Sequence, residues 1–151
     1  MPAKKPSIDT RKILATLDRI LELELSGVVR YTHYSFMVFG PSRIPIVKWM
    51  NDQADESLGH ARAAGELITH LGGHPSLKIG RLLETQQHDM TALLNESLEH
   101  EREGLEAYYA LLDLVKDRHV PLEEFARTMI HGEEMHIGEV EKMLRRPGHL
   151  K

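Results

Sequence analysis

Cysteine is absent from the 151 residues, which excludes a disulfide framework, a thiolate metal site and a redox thiol. That absence suits a reducing compartment. The N-terminus lacks the apolar stretch and small-residue cleavage site of a secretory signal, so we expect an intracellular, cytoplasmic protein. No run of residues is apolar enough to suggest a membrane span. An excess of positive charge is also missing. Nineteen Lys and Arg stand against 23 Asp and Glu, a formal charge of -4, which gives no general electrostatic reason to bind nucleic acid. Lys4, Lys5, Arg11 and Lys12 make only the start locally basic, and we expect that stretch to be a solvated tail.

Proline is missing from most of the chain. The seven prolines stand at 2, 6, 41, 45, 75, 121 and 147, and the tracts between them are rich in Leu, Glu, Ala and Arg, which predicts four helices. We place these at residues 7–39, 42–71, 82–116 and 121–146. At 41% hydrophobic the chain is long enough for one domain with a core and too short for two comfortable ones. The short links at Gly40-Pro41 and at residues 117–121 require antiparallel neighbours. Residues 72–80 are long enough to run the length of a bundle and bring the third helix parallel to the second. The expected fold is an all-α, antiparallel four-helix bundle with a long crossover between helices 2 and 3.

A bundle must bury one face of every helix, and each predicted helix carries an apolar stripe at helical spacing. Each stripe is broken by polar groups. The fourth runs Leu122, Ala126, Met129, Val140 and Met143, with Glu133 and His136 on the same face. Residues three apart lie about 60° around a helix and about 4.5 Å along it, so both side chains can reach one ion. The first stripe (Leu14, Leu17, Leu21, Val28, Tyr31, Val38) is interrupted by Glu24. The third (Leu94, Leu98, Leu105, Tyr108, Leu112, Val115) is interrupted by Glu101, and the second by Ser57 and His60. The pattern is duplicated: Tyr31 follows Glu24 by seven residues, and Tyr108 follows Glu101 by seven. Glu24 and His60 are 36 apart, Glu101 and His136 are 35 apart, so both hairpins bring their polar groups to one level.

Burying three carboxylates and two imidazoles without partners would cost several kcal/mol per ionised group. A pair of divalent ions neutralises them, and bridging carboxylates with two histidines suit iron or manganese better than calcium or structural zinc. Such an arrangement occurs in di-iron bundles. The bland alternatives are a salt-bridged or surface Glu24, core tyrosines that hydrogen-bond a carboxylate, and a solvated face for Glu96, Glu99, Glu103 and Glu106. His100 and the remaining histidines are expected at surface or cap positions. A second apolar face on helix 2 (Val47, Ala54, Leu58, Ala61, Ile68) is explained by packing against another subunit or, nearly as well, within one chain.

The sequence resembles the ferritin-like superfamily, bacterioferritin most closely, over residues 10–146. The resemblance is carried by Leu23-Glu24-Leu25 with Tyr31, by His60-Ala61 followed by Leu71-Gly72-Gly73-His74-Pro75, by Leu98-Glu99-His100-Glu101-Arg102-Glu103, and by Glu133-Glu134-Met135-His136-Ile137. It implies di-iron ligands at Glu24, His60, Glu101, Glu133 and His136, with Tyr31 beside them and in a catalytic, redox role. The implied activity is oxidation of Fe(II) by oxygen or peroxide, with storage of the ferric product by a homo-oligomer, a dimer or a cage. Three departures stand out. The glutamate expected three residues before His60 is Ser57, so Glu56 is the candidate replacement if the helix is locally overwound. The haem-ligating methionine matches Leu58, so haem is not expected. The short fifth helix of large cages is missing after Pro147. Two other readings remain open: a non-storage iron or iron and manganese oxidase or peroxide scavenger, and a metal-free helical interaction module with a decayed site. A DNA-protecting mini-ferritin is disfavoured because its ligands lie between subunits, and a rubrerythrin because its second domain needs cysteines.

Overall fold

In the computed structural model, residues 7–150 are described. They form α1 (Thr10–Met37), α2 (Arg43–His70), α3 (Met90–Val115) and α4 (Val120–Leu144), with no strand among the described residues. Helices α1 and α2 pair as one hairpin and α3 and α4 as the other, and α1 packs against α3 between them. This is the expected all-α four-helix bundle. No helix among the described residues is long and apolar enough to cross a membrane.

Side-chain caps fix three of the helix starts. Asp9 accepts from Lys12 N–H at 3.1 Å, Asp89 from Ala92 N–H at 3.0 Å, and His119 Nδ1 from Leu122 N–H at 3.3 Å, each satisfying an N–H left free by the first turn. Helix α3 is shorter than predicted, beginning at Met90 and not near residue 82. Gln86 takes a left-handed φ of 58°, which a continuous helix cannot contain, and Asp89 then restarts the chain. The stretch before it is needed elsewhere.

That stretch belongs to the crossover, which climbs one groove of α1 in steps of about four residues. Ser76 N–H donates to Asp18 Oδ1 (2.9 Å), Ser76 Oγ–H to Glu22 Oε1 (2.5 Å), Gly80 N–H to the Glu22 carbonyl (2.7 Å), and Arg30 Nη2–H to the Arg81 carbonyl (2.8 Å). His33 and Glu84 meet at 2.6 Å above them. Gly73 and Gly80 allow this close approach, because a Cβ at either would lie 2.7 Å from Leu14 Cδ2 or 3.0 Å from Ser26 Oγ.

The crossover also buries a carboxylate expected on the surface. Glu96 lies under it, accepting from Tyr34 O–H at 3.1 Å and from the Thr85 hydroxyl, while Arg30 Nη1–H reaches Tyr34 at 3.3 Å. Burial, set against the neighbouring Arg30, raises the Tyr34 phenol to about 12. Glu96→Ala would leave these donors without their acceptor. The expected loss is about 2 kcal/mol, read from the urea midpoint, with faster proteolysis in residues 82–89; an unchanged midpoint would contradict this role.

The apolar core is divided. One part gathers Ile13, Leu17, Ile68, Leu111, Val115 and Leu122 toward one end; the others gather Tyr34, Val38, Met50 and Leu93, and Leu94, Leu98, Ile137 and Val140. The stripes hold with local shifts: Ile13, Ile20 and Leu111 are buried, while Leu14, Val28, Leu105 and Leu112 are half-buried. On α2, Ala54, Ala61 and Ile68 pack inside this chain and Val47 and Leu58 remain half-buried, so most of the supposed second face is core. Between the core clusters lies the polar layer.

Candidate metal centre

Glu24, Glu101 and Glu133 are each less than one-tenth exposed, although each sits on an otherwise apolar stripe. Glu24 on α1 and Glu133 on α4 flank the imidazole of His60 on α2. His60 Nδ1 is 3.3 Å from Glu24 Oε1 and 3.5 Å from Glu133 Oε1, and the three residues bring one ligand atom each within 4.8 Å of one another. On the other side Glu101 accepts the Tyr31 hydroxyl, and His136 Nε2 lies 3.6 Å from Glu101 Oε1 and 3.3 Å from Tyr31 Oη. Trp49 packs over this half, 5.6 Å from the His136 ring and 6.0 Å from Tyr31. Glu24, Glu101 and Glu133 also border a cavity of about 10 Å³.

The two tyrosines cross over between hairpins. Tyr31, on the helix of Glu24, donates to Glu101; Tyr108, on the helix of Glu101, donates to Glu24 at 2.6 Å. The seven-residue spacing thus closes a reciprocal pair of hydrogen bonds, each fixing one carboxylate. Burial and the neighbouring carboxylates push both phenols well above the ordinary tyrosine value, which keeps them as donors.

Charge is crowded here. Burial and the Glu133 carboxylate push Glu101 up to about 8, against the opposing pull of His136. Burial alone would lower His60, but the carboxylates of Glu133 and Glu24 hold the imidazolium and raise it to about 10. Three acids around one imidazolium leave a deficit of positive charge in a poorly solvated layer, and carboxylate oxygens with imidazole nitrogens are donors that suit iron, manganese or zinc. The residues present therefore fit a divalent cation at Glu24, His60 and Glu133, and a second at Glu101 and His136 with Glu133 between the two.

Glu56 does not join the cluster. Its carboxylate is on the far side of His60, 3.7 Å from Nε2, and its side chain is 53% exposed. Helix α2 shows no overwinding at this point, so the one-residue offset from the stripe is kept. Ser57 is buried on the inner face, where the stripe put it. His100, expected at the surface, is buried with Nδ1 lacking a hydrogen-bond partner, and burial followed by the charges of Arg30 and His136 lowers it to about 4. A stripe count misses it because α3 is covered on more than one side. Apart from this layer, His33, Glu84 and His88 bring three ligand atoms within 4.8 Å on the exposed outer face.

A protein-family model for the ferritin-like domain matches residues 14–147. Among solved structures, a ferritin-like diiron-carboxylate protein from Bacillus anthracis superposes with a TM-score of 0.85 at 23% identity, over 93% of this chain and 100% of that one. The dodecameric thioferritin of Bacteroides fragilis, a bacterioferritin-related protein, gives 0.82 at 20% identity over 91% and 86%. The bacterioferritin of Rhodobacter capsulatus, whose structure has a metal-free dinuclear site and haem iron, gives 0.78 at 20% identity over 93% and 86%. No curated protein sequence matches the chain.

Proposed function

Because the chain belongs to the ferritin-like domain family, we propose that its polar layer takes up two iron ions and oxidises Fe(II) with oxygen or peroxide, the ferric product being stored. The observation that carries this reading is the meeting of Glu24, His60 and Glu133 within 4.8 Å, with Glu101 and His136 beside them. In it, Glu24, His60 and Glu133 hold one ion, Glu101 and His136 hold the second, and Glu133 is shared. Bound iron supplies the one-electron chemistry.

The residues around the pair set its geometry. Tyr108 pins Glu24 and Tyr31 pins Glu101, so neither acid swings when a cation arrives. Glu56 stands on the outer edge of His60, 3.7 Å from Nε2, while Nδ1 faces the inner carboxylates; a carboxylate behind a metal-bound imidazole plays a supporting role. Trp49 limits water on the His136 side. Tyr31, hydrogen-bonded to Glu101, is the phenol placed for a redox role, passing an electron to the oxidant as its proton moves to the Glu101 carboxylate. Tyr31→Phe should leave metal stoichiometry unchanged and slow Fe(II) oxidation about tenfold to a hundredfold, followed by stopped-flow absorbance of the ferric product. An unaltered rate would leave Tyr31 a core aromatic.

We read the chain as one such domain, acting in the cytoplasm as a homo-oligomer. Phe36, Phe39 and Ile44 stand 64%, 72% and 85% exposed around the α1–α2 turn, a large apolar group for a lone subunit, and one fold neighbour is dodecameric. Haem is not expected with Leu58 at the ligand position. Elemental analysis with native mass, before and after Fe(II) in air, tests the reading. About two irons per chain followed by a larger load supports storage. Two irons with no further uptake favours the oxidase or peroxide scavenger, in iron or mixed iron and manganese form, which the missing carboxylate at Ser57 keeps open. No iron after Fe(II) addition refutes both.

A further inference from the structure

Helix α2 presents a serine, Ser57, where a second inner carboxylate would complete the centre, and Ser57 is packed beside a buried histidine. Gly27 on α1 faces both Ser57 of α2 and His100 of α3. A Cβ at Gly27 would stand 2.8 Å from Ser57 Oγ and 3.0 Å from His100 Nε2. The two side chains therefore converge on one point, and only glycine on the opposite helix lets them do so. His100 is 6% exposed, its Nδ1 has no hydrogen-bond partner, and its ring lines the same small cavity as Glu24, Glu101 and Glu133. A buried imidazole nitrogen without a hydrogen-bond partner is a cost to the fold. Nothing in the core packing requires it, since an apolar side chain would fill the volume without that cost.

We propose that His100, admitted by Gly27 and the short Ser57 side chain, supplies a third imidazole to the metal centre in place of the carboxylate that α2 lacks. Glu56, the other candidate for that role, lies outside His60 with an exposed side chain. The exchange puts the replacement ligand on α3 and not on α2. It also replaces an anion by a neutral donor, leaving three carboxylates and three imidazoles around two divalent ions. The bound pair is then one unit more positive than with four carboxylates, which favours the divalent over the trivalent state. Nitrogen in place of oxygen also tilts selection from manganese toward iron. The competing reading is a buried histidine that merely fills the core.

This inference rests on the reading of the layer as a two-metal centre, and the test separates the two. Cobalt(II), which is stable in air at such sites and gives strongly shifted imidazole N–H proton resonances, is titrated into the full-length protein, with bound metal counted after equilibrium dialysis. The wild type should bind two ions and show three shifted imidazole resonances. His100→Gln should keep the first ion, bind the second at least about tenfold more weakly and lose one resonance. Ser57→Glu combined with His100→Gln should regain the second ion with two resonances. Gly27→Ala, which pushes on Ser57 and His100, should match His100→Gln. A wild type with two ions and only two imidazole resonances overturns the role of His100 alone. So does His100→Gln with unchanged affinity and all three resonances. A wild type that binds no cobalt overturns the two-metal centre itself.

Discussion

Glu133→Leu should abolish binding of both ions and at the same time make the metal-free protein less stable. Glu133 faces His60 on one side and raises Glu101 on the other, so it belongs to both halves of the layer. Without cations it is one of the two carboxylates that hold the His60 imidazolium. Removing one partner of a buried ion pair costs about 3–5 kcal/mol. Here the low end, about 3 kcal/mol, is expected because Glu24 stays beside His60 and the Glu101 carboxyl is relieved, a fall of about 8 °C in the midpoint for a chain of this length. Calorimetry of the metal-free variant, together with its metal content after Fe(II) or Co(II), checks both halves. A variant that melts higher when metal-free, or that keeps stoichiometric metal, would contradict the place of Glu133 in both halves of the layer.

The second large effect is on pH. In the metal-free protein Glu101 is raised from its ordinary value to about 8. The folded state therefore holds a proton that the unfolded chain has released, and stability falls as pH rises from about 4.5 through 8. His60 is raised to about 10; its contribution is fully present below about 6.5 and is lost as pH climbs through 10. Both groups act in the same direction. Unfolding free energy of the metal-free protein should drop by about 6 kcal/mol between pH 6 and pH 9, about half from each group, measured by urea titration at each pH. Loading with metal should remove or reverse the slope, since bound cations need the deprotonated ligands. A metal-free protein whose stability is flat or rising across that window contradicts the coupled acids.

Much of this arrangement could be read from the order of residues. Proline positions fixed the hairpins and the crossover, because proline excludes helix interiors whatever the tertiary contacts. Glu24, His60, Glu101, Glu133 and His136 were visible as interruptions of stripes, since a polar group at a buried helical position has few bland explanations. Their mutual distances were not visible, because the height of one helix against another depends on loops and packing. The tyrosine spacing showed the duplication without showing that Tyr31 serves Glu101 and Tyr108 serves Glu24. Glu96 and His100 are hidden for different reasons. The crossover, read as a plain connector, lies along α1 and covers Glu96, whereas His100 turns inward against Gly27 and Ser57. The carboxylate missing at Ser57 points to Glu56 in the sequence, but the regular α2 helix keeps that side chain outside.

The central claim is that the acids and imidazoles at the middle of the bundle exist to hold two cations. Anomalous diffraction at the iron edge, on crystals soaked anaerobically in Fe(II), tests it most directly. The account predicts two peaks per chain, one among Glu24, His60 and Glu133 and one against Glu101 and His136. A middle layer without density, with iron found only at surface groups such as His33, Glu84 and His88, would contradict it.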